Sequence, residues 1–250
     1  QKQAPDNPDV LHLLGYVAHQ KGDSRRAVTL IRKSLTRQPD GIEATNNLGL
    51  ALCSLGRLDE AEESFRKALA LSPDLADLHN NLGSVLQEKG ALEEAESCVR
   101  RALELKPDFA EAWSNLGGIL QETKRNREAA EACGQAVELN PYLPEAHNNL
   151  GLAFLALKEW RKAEKHFNKA IGLKPDYAEA FNNLASLFSR SGRLDDAESC
   201  LRRALECRHD YAAAYARLGN ILKYRGNLDE AETVVRRAIE LKPEDDEAHN

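Results

Sequence analysis

Asparagine is the residue whose spacing in this 250-residue sequence could do chemistry. One asparagine recurs five times at intervals of 34 residues, and a second row, interrupted by Ser114, precedes it by one position. The first row is Asn47, Asn81, Asn115, Asn149 and Asn183, and the second is Asn46, Asn80, Asn148 and Asn182. A carboxamide both donates and accepts hydrogen bonds, as a peptide bond does. The rows are therefore suited to binding the backbone of an extended peptide, with little regard to its side chains.

A structural role for the same asparagines is the alternative. Asparagine is a mediocre helix former, so helix propensity does not explain five in succession at one register. The side chains could instead bridge neighbouring repeats or the linkers between them, or persist because the repeat was duplicated. The pattern favours peptide binding and leaves the bridging role open. Arg217 and Asn220 add a charged end to the same surface.

The elements that position these residues follow from the repeat itself. Counted from Pro8, position seven is always leucine, position twenty always alanine, position eight is glycine except at Ala185, and position 32 is proline except at His209. Small residues let two helices approach closely, and proline ends the second helix. The predicted repeats are 8–41, 42–75, 76–109, 110–143, 144–177, 178–211 and 212–245. Residues 1–7 are predicted to be a linker or the end of a preceding repeat, and 246–250 the start of a truncated eighth.

Each repeat is predicted to be a helix, a turn and a helix. On a helical wheel, positions three, seven, ten, eleven and fourteen of the first helix face the core, and positions two, five, six, nine and thirteen face away. Aspartates after the prolines resemble N-caps. They are Asp40, Asp74, Asp108 and Asp176. Glycine marks the turn in five repeats, while Lys124 and Lys158 replace it in two.

This pattern resembles the tetratricopeptide repeat over essentially the whole chain. The resemblance implies an all-α solenoid of helix–turn–helix units in a right-handed superhelix, with a concave groove lined by the first helices. The asparagine rows are similar to the ladder of O-linked N-acetylglucosamine transferases, where that ladder binds substrate polypeptide. Position five lacks the lysines with which other grooves of this family hold a partner's C-terminal carboxylate. A chaperone-tail clamp is therefore not expected.

Several other functions are not expected from the sequence. The net charge of -6 argues against nucleic-acid binding, and no apolar run is long enough to predict membrane insertion. No catalytic or phosphate-binding motif is present, so we expect neither an enzyme active site nor a cofactor or metal. His79, His147 and His249 share position four and are predicted to pack. The paired basic residues of the second helices follow glutamates at i,i+4 spacing, which predicts a solvated, ion-paired face.

Three roles remain open for a protein that binds protein partners or extended peptides. The chain is the substrate-recruiting arm of a larger transferase, or a free-standing scaffold, or a module that self-associates into a homo-oligomer through its ends. The sequence contains no methionine, and both ends look cut, so a fragment is expected. Five cysteines without a Cys-x-x-Cys pair predict a reducing, cytoplasmic location.

Overall fold

The computed structural model describes residues 7–241, which form fourteen α-helices and contain no strand. The first seven are α1 (Pro8–Gln20), α2 (Ser24–Leu35), α3 (Ile42–Cys53), α4 (Leu58–Leu71), α5 (Ala76–Glu88), α6 (Leu92–Leu105) and α7 (Ala110–Glu122). The others are α8 (Asn126–Leu139), α9 (Pro144–Ala156), α10 (Trp160–Leu173), α11 (Ala178–Arg190), α12 (Leu194–Cys207), α13 (Ala212–Tyr224) and α14 (Leu228–Leu241). The predicted all-α fold of tandem helical repeats is confirmed.

The helices belong to two compact units, one ending at Thr123 and the other beginning at Lys124. The boundary falls between the two helices of the predicted repeat 110–143. Within each unit, a first helix packs against its own second helix, and the second helix packs against the first helix of the next repeat. The first helices also touch in succession from α1 to α7 and from α9 to α11. Each unit has a surface formed by its first helices, which are α1, α3, α5 and α7 in the first unit and α9, α11 and α13 in the second. The surface of either unit is called its first-helix surface below.

The small residue at position eight allows close packing within a repeat, as the sequence predicts. A Cβ atom on Gly49 would lie 2.6 Å from the ring of Phe65, and one on Gly151 would lie 2.6 Å from the ring of Phe167. Both rings are fully buried. The glycines therefore provide the space that the aromatic side chains of the second helices fill.

The turns between paired helices adopt a left-handed backbone. The five predicted turn glycines have φ between 69° and 82°, which costs glycine little because it has no Cβ. Lys124 and Lys158 occupy the same turn position in their repeats and adopt φ of 63° and 62°. The turn geometry is therefore retained in these two repeats although its preferred residue is missing.

The predicted aspartate caps are wrong. In these repeats the N-cap is the residue after the aspartate, it makes no side-chain capping bond, and the proline and aspartate form the preceding turn. These N-caps are Gly41, Leu75, Phe109 and Tyr177. Side-chain caps occur instead at Asn7 and Asp23, which accept hydrogen bonds from the first turns of α1 and α2. The prediction was wrong by one residue because the aspartate belongs to the turn that precedes the helix.

Two further features concern the ends and the surface. None of the helices within residues 7–241 combines the length and the apolar character needed to cross a membrane. The predictions for His249 and for residues 246–250 lie outside the described residues, as does most of the predicted linker at 1–7. On α1, Leu13, Leu14, Tyr16 and Val17 are exposed, whereas the position-seven leucines of the later repeats are buried.

Candidate functional site

Position five of the first helix lies deeper than the helical wheel predicts. Asn80, Asn148 and Asn182 are 7%, 5% and 4% exposed, and Ser114 in the same register is also buried. Asn46 is half-buried. The neighbouring first helix covers this position, so a wheel drawn for one helix places it wrongly on the free surface. Position six lies nearer the surface, where Asn81, Asn115, Asn149 and Asn183 are half-buried; Asn47 alone is buried.

The two asparagine rows are joined by hydrogen bonds between neighbouring repeats. In the first unit, Nδ2 of Asn81 donates to Oδ1 of Asn46 at 2.9 Å, and Nδ2 of Asn115 donates to Oδ1 of Asn80 at 2.9 Å. In the second unit, Nδ2 of Asn183 donates to Oδ1 of Asn148 at 3.0 Å. The bridging role left open by the sequence is therefore present in the structure. It fixes the carboxamides of Asn81, Asn115 and Asn183 in one orientation at the surface.

The bridge extends one repeat further than the sequence predicts. Asn47 lies 2.9 Å, through Nδ2, from Nε2 of His12, which occupies position five of the first repeat. A histidine nitrogen can take the place of a carboxamide oxygen because both accept hydrogen bonds. The first repeat, in which Leu13 interrupts the asparagine row, thus still contributes to the bridging pattern.

Position four ties three of the first helices, α5, α7 and α9, to the turn before each of them. The ring nitrogens of His79, Trp113 and His147 hydrogen-bond the carbonyl oxygen of the proline six residues earlier, at 2.8, 2.9 and 3.1 Å. These side chains act in structure, as predicted for the two histidines. Histidine and Trp113 can serve the same role here because both carry a ring N–H in a bulky, flat side chain.

His147 also contacts a second histidine across the hairpin of α9 and α10. Its Nδ1 lies 3.1 Å from Nδ1 of His166, and the two rings stack with centroids 5.4 Å apart. Since the other nitrogen of His147 donates to Pro141, its Nδ1 is the acceptor. Burial lowers the pKa of both imidazoles, and the pKa of His166 falls to about 4. Both rings are therefore neutral at pH 7.

We expect this pair to make stability fall in mild acid. Because the folded-state pKa of His166 lies below its ordinary value of 6.5, its contribution is fully present above pH 6.5 and is lost as the pH drops toward about 4. After discounting for partial exposure, the free energy of unfolding should fall by roughly 1–2 kcal/mol. Urea unfolding at pH 7 and pH 5 measures the difference, and His166→Phe should reduce it. If His166→Phe lost as much stability between pH 7 and pH 5 as the natural chain does, the histidine pair would not be the cause.

In the second unit, one end of the first-helix surface forms a pocket. Between α11 and α13 lies an open cavity of about 940 Å³. Its polar lining consists of Ser186, Ser189, Arg190, Arg217, Asn220 and Tyr224. The structure places Arg217 and Asn220, which the sequence predicts to form a charged end, in the lining of one pocket. Sequence reasoning missed Arg190 and Tyr224, although their spacing of i+8 from Asn182 and i+7 from Arg217 places each on the same helix stripe as a predicted residue.

The arginines of the second helices form ion pairs with glutamates. Arg66 contacts Glu62 on its own helix at 2.8 Å and Glu94 of the next repeat at 2.7 Å, and Arg202 contacts Glu198 and Glu230 at 2.8 and 2.7 Å. The predicted i,i+4 ion pairs are confirmed. They lie on solvated helix faces, where such pairs add little to stability.

The remaining side chains that could take part in chemistry are the possible metal ligands and the cysteine thiols. Among the described residues, no group of three or more histidine, cysteine or acidic residues could hold a metal ion. All five cysteines are free thiols. Burial raises the pKa of Cys53 and Cys200 to about 11 and that of Cys133 to about 12, which keeps these thiols protonated and unreactive.

Family comparisons match the repeat pattern. A model described as the cilia and flagella-associated protein 70 C-terminal domain matches residues 75–250. Two models described as tetratricopeptide repeat match residues 41–108 and 8–40. A search among curated proteins found no match.

Solved structures with the same fold are numerous. The chain is similar to one in the APC/C hetero-tetramer Cut9–Hcn1, with a TM-score of 0.83 and 19% identity, covering 98% of this chain but 48% of that one. It is similar to pilF of Pseudomonas aeruginosa, with a TM-score of 0.67 and 25% identity, covering 86% and 97% of the two chains. It is also similar to YrrB, described as a TPR protein with an unusual peptide-binding site, with a TM-score of 0.51 and 23% identity, covering 75% and 97%.

Proposed function

The chain belongs to the tetratricopeptide-repeat proteins, in the family described as the cilia and flagella-associated protein 70 C-terminal domain, and from this we propose that it binds extended polypeptide on its first-helix surface. The position-six carboxamides contact the peptide backbone, and the buried position-five residues hold them in place. Tetratricopeptide repeats are protein-interaction modules, so binding and not catalysis is the activity proposed here.

The observation that carries this proposal is the repeated geometry of the bridges. Asn81, Asn115 and Asn183 each use one N–H of the carboxamide in a bridge of 2.9–3.0 Å to the preceding repeat. The second N–H and the carbonyl oxygen of each side chain then remain for a ligand. Side chains already held in one conformation lose little entropy on binding, which favours affinity.

The matched test breaks the same two bridges in two ways, once from their surface ends and once from their buried ends. Asn115→Ala with Asn183→Ala removes two surface carboxamides, whereas Asn80→Ala with Asn148→Ala breaks the same two bridges from their buried ends. Each lost peptide hydrogen bond weakens binding by roughly 0.5–1.5 kcal/mol. The surface pair should therefore weaken binding about 5- to 150-fold. Fluorescence anisotropy with labelled, uncharged 15-residue peptides of serine, threonine and alanine measures the affinity.

The buried pair is the control for structural damage. Both double variants lose the same bridges, so both should lose a similar amount of stability in urea unfolding. If the buried pair weakens peptide binding as much as the surface pair does, the asparagines act only in structure. The proposal would also fail if neither double variant changed the affinity.

The wider setting of the module stays a proposal. We propose that the bound polypeptide is a substrate or assembly partner, recruited for a transferase in the manner of the O-linked N-acetylglucosamine transferases or assembled by a free-standing scaffold. A cytoplasmic location is proposed because the five thiols are free. The exposed apolar residues on α1, among them Leu13 and Leu14, support self-association as a further role.

A further inference from the structure

The bridging pattern breaks beside the pocket between α11 and α13. In four places a position-six asparagine bonds the residue 35 positions earlier, and by this register Arg217 faces Asn182. The expected bond is absent: Oδ1 of Asn182 and Nε of Arg217 are both buried without a hydrogen-bond partner. Folded proteins leave few such atoms unpaired. With arginine at this position, the hydrogen bond to Asn182 is lost and a guanidinium group lies at the pocket.

The pocket carries positive charge without compensating acid. Arg190 and Arg217 both line it, and no aspartate or glutamate does so among the described residues. By contrast, Arg66 and Arg202 on the second helices each contact two glutamates. The chain as a whole has a net charge of -6, so this local excess of positive charge opposes the general trend. Such an arrangement selects an anionic partner.

The other lining groups extend the binding surface along two helices. On α11, Ser186 and Arg190 follow Asn182 at spacings of four residues, and on α13, Asn220 and Tyr224 follow Arg217 on one stripe. Tyr224 is 81% exposed at the rim. The pocket is open and, at about 940 Å³, large enough for a stretch of chain and not only for one charged group.

We propose that this pocket binds an acidic segment of the partner polypeptide, with aspartate or glutamate carboxylates paired to Arg190 and Arg217. The inference rests on the proposed function and adds a charge-selective end to a surface that otherwise recognises backbone. Guanidinium and carboxylate form charge-assisted, bidentate hydrogen bonds, which suits two arginines on different helices to two separate carboxylates. Asn220 and the serine hydroxyls supply hydrogen bonds to the backbone between them. Two arginines are too few for the extended basic patch that nucleic acid requires.

Anisotropy measurements with the whole chain test the assignment. The probes are a labelled 15-residue peptide with four central glutamates and aspartates, the same peptide with glutamine and asparagine, the same peptide with two central phosphoserines, and a single-stranded RNA decamer. We expect the acidic peptide to bind at least about tenfold more tightly than the neutral one, with affinity that falls as salt is added. Arg190→Gln and Arg217→Gln should each reduce that advantage about tenfold.

Two further variants separate charge recognition from folding. Arg236→Gln removes the same charge from the second helix α14, away from the pocket, and should leave the acidic peptide's advantage unchanged. Arg217→Lys keeps the charge and should retain part of the advantage that Arg217→Gln loses. Equal affinity for the acidic and neutral peptides, or an equal loss in Arg236→Gln, overturns the inference. Tighter binding of the phosphoserine peptide or of RNA overturns the assignment to carboxylates.

The outcome is distinguishable from failure of the proposed function. Neutral-peptide binding depends on Asn115 and Asn183, whereas the acidic advantage depends on Arg190 and Arg217. If neutral peptides bind and the acidic peptide gains nothing, only the charged end is wrong. If no neutral peptide binds while the acidic peptide still requires both arginines, the asparagine proposal fails and the charged pocket stands.

Discussion

Replacing Phe167 by alanine is expected to lower the free energy of unfolding by about 3–5 kcal/mol, among the largest effects of any single change in this chain. Its ring is fully buried in a core that includes Leu155, Leu184 and Leu201. Alanine would leave a cavity where the ring packs on Gly151, and neighbouring helices cannot collapse into it without breaking their own contacts. Urea unfolding followed by circular dichroism measures the loss.

Phe181→Ala is the matched control for this prediction. It deletes the same atoms from a half-buried ring that packs at the edge of the same core. Less apolar surface returns to water, so the loss of stability should be clearly smaller than for Phe167→Ala. Equal losses would show that burial in the hairpin does not determine the stabilisation by these rings.

Replacing Gly151 by alanine is expected to destabilise the chain by about 1–3 kcal/mol, although alanine is the better helix former. The added methyl would lie 2.6 Å from Cε1 of Phe167, well inside van der Waals contact. Either the ring leaves its position or the two helices of the hairpin move apart. Gly134→Ala is the control, because its Cβ would meet no atom within 4 Å and should stabilise helix α8.

A double-mutant cycle identifies the cause of that loss. The repeat 178–211 already has alanine and leucine, Ala185 and Leu201, at the two positions that Gly151 and Phe167 occupy. Gly151→Ala should therefore cost less in a Phe167→Leu background than in the natural chain. A non-additive free energy of unfolding shows that the two positions share one space. Strict additivity would place the cost of the methyl group elsewhere.

The candidate site was partly predictable because side chains at 34-residue intervals must share a register. The sequence identified both asparagine rows, Arg217 and Asn220 without reference to any contact. It placed position five on the free surface, however, because a helical wheel describes one helix and cannot show that the next repeat covers Asn80 and Asn148. Arg190 was missed for a similar reason, since its importance depends on facing α13.

The sequence by itself determined the repeating hairpin. Its causes are local and steric: a glycine or alanine where two helices touch, glycine where the backbone turns left-handed, and proline where a helix must end. Only the tertiary structure decided what the polar side chains do, because hydrogen bonds between residues 35 positions apart form only when repeats stack. That stacking made Asn115 a partner of Asn80, buried the position-five row, and left Arg217 and Asn182 without the bond that their register predicts.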